Sequence, residues 1–143
     1  MKLLQIIIDT SVIVSAIRSK RGASYRLLLK LGADNRFEIN LSTALLLEYE
    51  EKAQEHGAKF GYTDTQINDF LDFICSVANE HQTYFRWRPF LRGAEDEFVL
   101  DLAIAANADY IVTYNLRDFI GAETFGIKVI TPKEFLQILG DIK

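Results

Sequence analysis

The chain of 143 residues is short of the side chains that build covalent or zinc frameworks. Its single cysteine, Cys75, excludes an intrachain disulfide and any cysteine-based zinc site, and reads as a small core residue. The two histidines, His56 and His81, stand too far apart to form a metal motif. Only two prolines occur, Pro89 and Pro132, and no stretch reads as a linker, repeat or low-complexity tract. No apolar run approaches the roughly 18 residues of a membrane span, so no membrane partner is expected. The apolar start is broken early by Asp9, too short for a signal peptide, and a cytoplasmic, reducing compartment is the expectation. Basic charge is also scarce. With 16 Lys and Arg against 20 Asp and Glu the net charge is −4, which argues against coating nucleic acid by charge alone. What remains is a globular composition, 49% apolar and 25% charged, long enough for one domain over 1–143 with its own core.

Strand and helix patterns alternate along the chain. Residues 4–8 are a nearly continuous, β-branched apolar run, as in a strand covered on both faces. Asp9, Thr10 and Ser11 follow as helix-start residues for a helix over 12–18, and a second helix spans 23–31 with Gly32 as its stop. A strand over 37–41 leads to Ser42, a cap for a helix over 43–56 that ends at Gly57. Thr63 and Gln66 have capping-box spacing and open a helix striped by Ile67, Phe70, Leu71, Ile74, Val77 and Ala78. Residues 83–88 alternate as a strand would, 97–107 is an alanine-rich helix, and 110–113 and 127–130 are further strands. Thr131, Pro132 and Glu134 open a last helix to about Leu139. Such alternation implies an α/β fold, a mainly parallel sheet with helices on both faces. Ligands then bind beyond the carboxyl ends of the strands.

Acids gather at those ends. Asp9 directly follows the first strand, where it could equally cap the helix behind it. Asn115 and Asp118 follow the strand ending at Thr113, and Asp118 alone would be an ordinary loop residue. Glu48 sits about one and a half turns into its helix among leucines, where the polar face is narrow; a solvated residue is the other reading. Glu97 and Asp101, four apart, share one face of a helix that is apolar nearly all round, and a carboxylate on a buried helix needs a partner. Five carboxylates on one rim without His or Cys select hard, oxygen-preferring cations, Mg²⁺ or Mn²⁺, which can clamp a phosphoryl displacement. Without those five acids the rest of the chain carries +1, and two divalent ions would bring the whole from −4 to zero. Arg18, Lys20, Arg21, Arg26 and Lys30 form one basic set and Arg86, Arg88, Arg92 and Arg117 another. They are solvated surface or, with Tyr84, Phe85 and Trp87, a path for a phosphate backbone with stacked bases.

The stretches 6–16, 46–50, 96–106 and 108–119 together resemble the PIN-domain family, nucleases similar to the PilT N-terminus, found as toxins of bacterial and archaeal toxin–antitoxin pairs. The most specific marker is Thr113-x-Asn115-x-x-Asp118-Phe119 after a buried strand. The resemblance implies a Rossmann-like three-layer α/β/α sandwich and metal-dependent cleavage of RNA in an acidic Mg²⁺ or Mn²⁺ pocket. It makes Asp9 the first metal ligand, Glu48 the second, Glu97 the third with Asp101 one turn on, and Asp118 the fourth, through water. Thr113 and Asn115 would order the pocket. Two departures stand out. Glu97 holds a position more often Asp, which leaves open whether it or Asp101 is the closer ligand, and Ser11 replaces the usual Asn, a change expected to matter little. By the same resemblance an antitoxin protein lays a segment across the pocket and inserts an arginine, and the chain forms a homodimer or higher homo-oligomer. No organic cofactor is implied.

Two other classes compete. One is a phosphoacceptor signalling domain, also doubly wound with strand-end acids; it needs an Asp ending a middle strand, and 37–42 offers none. The other is a metal- or RNA-binding module of the same fold without turnover.

Overall fold

The central strand of the computed structural model is β1 (Leu4–Ile8), whose Ile6, Ile7 and Ile8 are all buried, as a strand covered on both faces requires. The structure describes residues 2–83 and 94–143. The strand expected over 83–88 falls almost wholly outside them, as do Arg86, Arg88, Arg92, Tyr84, Phe85 and Trp87. Five parallel strands follow the order β3-β2-β1-β4-β5, with β2 (Phe37–Leu41), β3 (Asn79–Glu80), β4 (Tyr110–Val112) and β5 (Lys128–Ile130). Register pairs Ile6 with Ile39 on one side of β1 and Ile8 with Val112 on the other.

Helices α1 (Thr10–Arg18), α2 (Ala23–Leu29), α3 (Thr43–Lys59) and α4 (Asp64–Val77) pack on one another along the first half of the chain. After β3 the winding reverses toward β4, so the right-handedness of crossovers sets α5 (Ala94–Ala105) on the opposite face of the sheet. There it lies against β1, β2 and α3, with Val99 to Ala103 buried without a break, as an all-round apolar helix should be. α6 (Pro132–Ile138) returns to α2, and its Phe135 packs edge-on against Phe37 and Tyr110. The expected caps are present: Ser42 accepts from Leu45 N, and Thr63–Gln66 and Thr131–Glu134 form full capping boxes.

Several element boundaries differ from the sequence reading. α3 does not stop at Gly57 but runs through it to Lys59. A Cβ there would stand 2.7 Å from Ile67 Cδ1, so glycine at this position buys the close approach of α3 to α4. α5 begins three residues before 97. β3 is a two-residue polar strand held by side chains. Asn40 and Asn79 both donate to Gln5 Oε1, and Gln5 and Asn79 both donate to Glu38 Oε1. Those donors, Gln5 first, hold the Glu38 carboxyl below its ordinary value.

Candidate active site

The winding reverses between β1 and β4, and in an open parallel sheet this switch point is where a crevice opens beyond the strand ends. Asp9 and Thr113 are the first residues past those two strands. Asp9 occupies the N-cap position of α1 but caps nothing: its side chain makes no bond to a helix N–H. Oδ2 instead accepts two hydroxyl hydrogen bonds, from Ser11 Oγ at 2.7 Å and Thr113 Oγ1 at 2.7 Å. The capping reading is therefore set aside. Both hydroxyl protons are committed to Asp9, so the two hydroxyl oxygens, 3.3 Å apart, act toward other groups as acceptors. Ser11 Oγ accepts from Tyr114 N at 3.1 Å and Thr113 Oγ1 from Asn115 N at 2.9 Å. Asp9 is only 6% exposed, and its Oδ1 takes no hydrogen bond among the described residues. The result is a buried carboxylate fixed at one oxygen and open at the other.

Ser11 thus matters more than the sequence suggested. A shorter side chain than Asn still reaches Asp9, and it ties the strand-end carboxylate to the loop after β4. Tyr49 is a second residue the sequence gave no reason to single out beyond its place next to Glu48. Its phenol is buried and donates to the carbonyl of Ile8, fixing the main chain just before Asp9. Burial, then the charges of Asp9 and Glu48, push its acidity far from physiological pH, so it remains a neutral donor. Glu48, the residue before Tyr49 on α3, is half-buried.

The other four acids lie on α3, on α5 and in the turn after β4. Asp101, 8% exposed on α5, lines a cavity of about 480 Å³ with Thr43, His81 and Phe98. Glu97 is half-buried one turn earlier on α5. Asp118 is half-buried in the 3-10 turn Leu116–Phe119, anchored by the buried Phe119 and by the bond from its N–H to Asn115 O at 3.0 Å. α5 packs on both β1 and this turn. Asn115 is exposed and meets the site through its N–H, which donates to Thr113 Oγ1. Among the described residues no three His, Cys, Asp or Glu side chains form a ready-made metal cage. The donor set nevertheless suits Mg²⁺ or Mn²⁺: every candidate is an oxygen donor, and Mg²⁺ keeps several waters and binds through one or two carboxylates together with substrate phosphate.

The sheet also corrects one sequence argument. The phosphoacceptor reading lacked an Asp ending a middle strand in 37–42, yet the middle strand is β1, and Asp9 ends it.

A family model described as a PIN domain matches residues 5–117. Among solved structures the chain is similar to VapBC2 from Rickettsia felis bound to a DNA fragment from its promoter. The TM-score is 0.59 at 19% identity, over 88% of this chain and 98% of the other. It is similar too to VapBC-1 from nontypeable Haemophilus influenzae, with TM-score 0.58 at 15% identity, over 91% of this chain and 99% of that one. At such identities the likeness is one of fold. No curated protein sequence matches the chain.

Proposed function

The chain belongs to the PIN-domain family, and from that premise and the geometry of Asp9 we propose a divalent-metal-dependent endoribonuclease acting as the toxin of a toxin–antitoxin pair. The observation that carries the reading is the Asp9 carboxylate, buried, tied by two hydroxyls at Oδ2 and open at Oδ1. An acid held that way is pre-oriented toward something outside the fold. Glu48, Glu97, Asp101 and Asp118 are the acids that would complete the site, directly or through water, around Mg²⁺ or Mn²⁺. When bound, such a cation would supply charge neutralisation at the phosphodiester and a water nucleophile at neutral pH. The protein's part is to hold the acids, exclude competing geometries and keep Tyr49 neutral behind Asp9. The likeness to VapBC assemblies supports a protein antitoxin as partner, and self-association of the chain is part of the same proposal.

The test is Asp9→Asn. The amide keeps an acceptor for Ser11 and Thr113, so the fold and Tm should be preserved. It sets an NH₂ or a neutral oxygen where a charged ligand stood, and cleavage of an RNA pool in Mg²⁺ or Mn²⁺ should fall to background. Full activity in this variant, or in excess chelator, defeats the proposal. Binding of Mn²⁺ and RNA with no cleavage by the native chain would favour a binding module. A labelled aspartate after exposure to a small phosphodonor would restore the phosphoacceptor reading.

A further inference from the structure

Tyr114 is an aromatic ring fixed at both ends and left in the open. Its N–H donates to Ser11 Oγ, one hydrogen bond away from Asp9 Oδ2. Its phenol oxygen shares a hydrogen bond of 2.8 Å with Ser24 Oγ, and Ser24, in the first turn of α2, is 1% exposed. The side chain therefore spans from the end of β4 to α2, past the start of α1. Yet 44% of the residue is exposed, and it takes no part in the core. A free tyrosine on a surface would have rotamers to lose on binding; this one has already lost them.

We propose that Tyr114 is a stacking platform for one nucleobase of single-stranded RNA, seated beside the Asp9 pocket, and that it sets where the strand lies across the rim. This rests on the nuclease reading above. A chain of net charge −4 gains little from general attraction to a polyanion, and a ring offers contact that does not depend on charge. Every base has a π-face, so such a contact places the strand without reading its sequence. Arg117, exposed three residues on in the 3-10 turn, is the cation offered to a flanking phosphate in this reading.

The experiment measures binding of a short fluorescent single-stranded RNA by anisotropy in the Asp9→Asn background, with Tm measured for every variant. Tyr114→Ala should raise Kd roughly 5- to 150-fold, the range of one lost base stack. Tyr114→Trp should bind as the parent does, and Tyr114→Phe should stay near it, since the ring survives the loss of the Ser24 bond. In the cleaving protein Tyr114→Ala should raise KM and leave kcat nearly unchanged. A duplex of the same sequence, whose bases are already stacked, should not sense the substitution. Equal binding by Tyr114→Ala overturns the inference, as does a loss in Tyr114→Phe as large as in Tyr114→Ala, or no single-stranded RNA binding at all. The two readings separate cleanly. RNA that is cut with the same KM by Tyr114→Ala removes the platform and keeps the nuclease; RNA bound through Tyr114 but never cut does the reverse.

Discussion

Two groups of acids in this chain are treated in opposite ways. At the far side of the fold, Asp34 and Asp141 are surrounded by cations. Arg36 bonds Asp34 through Nε and Nη2, bonds Asp141 through Nη2 at 2.9 Å, and donates through Nη1 to Leu139 O; Lys30 meets Asp141 at 2.7 Å. The cluster ties the turn before β2 to the end of α6. At the β1/β4 switch point, Asp9 and Asp118 have no cation within ion-pairing distance among the described residues, and Asp9 rests on hydroxyls alone. A structural acid is neutralised by the fold. An acid that the fold buries and orients without neutralising is prepared for a cation that comes from outside.

The sharpest way to break the comparison is at the hydroxyls. Thr113 is fully buried, and Thr113→Val keeps its shape while removing the donor to Asp9 and the acceptor for Asn115 N. Activity should fall about 10- to 100-fold, the usual cost of losing a group that orients a metal-binding carboxylate. Stability should fall by about 1–3 kcal/mol, because a charged acceptor and an N–H both lose a partner. Since Ser11 Oγ bonds the same Asp9 oxygen, Ser11→Ala combined with Thr113→Val should depart from additivity. RNA cleavage rates and urea midpoints measure both. Unchanged cleavage by Thr113→Val would mean that Asp9 orientation does not limit the reaction.

The ion cluster should behave in the opposite sense. The Arg36 guanidinium, bonded side chain to side chain, holds the Asp34 carboxyl at about 2 against an ordinary 3.8, and Asp141 is held down by Lys30 and then Arg36. Asp34 is the stronger acid when folded, so its contribution to stability is complete above its unfolded value and is lost as pH falls from 3.8 toward 2. Arg36→Met should flatten the dependence of Tm on pH across that window and lower Tm modestly at neutrality, while RNA cleavage stays at the native rate. A Tm profile as steep as the native one would show that other carboxylates carry the acid transition.

Much of this contrast could be read from the sequence, and the parts that could not have physical reasons. β1, β4 and β5 announce themselves by short apolar runs, β2 by alternation of apolar and polar residues, and the caps at Ser42, Thr63 and Thr131 by local spacing. Asp9 was legible because a buried strand ends on it. β3 was not, because Asn79 and Glu80 carry no apolar period and the Asn79 amide finds its acceptors, Gln5 and Glu38, on two other strands. Gly57 misled because a glycine that stops a helix and one that admits a neighbouring helix look alike until α4 is in place. Ser11, Tyr49 and Tyr114 owe their roles to the pairing of β1 with β4 and to α3 and α2 crossing near it. Such partners, 41 to 103 residues apart, leave no local signal.

The smallest effect expected lies one residue beyond Asp9. Thr10 opens α1 with its Oγ1 buried and without a hydrogen-bond partner, unlike the hydroxyls of Ser11 and Thr113 on either side of the acid. A desolvated hydroxyl left unpaired costs about 1–3 kcal/mol, while valine fills the same volume and loses little in helix propensity. Thr10→Val should therefore be as stable as the native chain or up to about 1 kcal/mol more so, with cleavage unchanged; a urea midpoint and an RNA cleavage rate decide it. The alternative outcome is as informative. If Thr10→Val loses stability, or loses activity only at low Mg²⁺ or Mn²⁺, then this hydroxyl serves a water or ion at the switch point. It would then belong with Asp9, Ser11 and Thr113, and the region that the fold leaves for an outside ligand would reach into the first turn of α1.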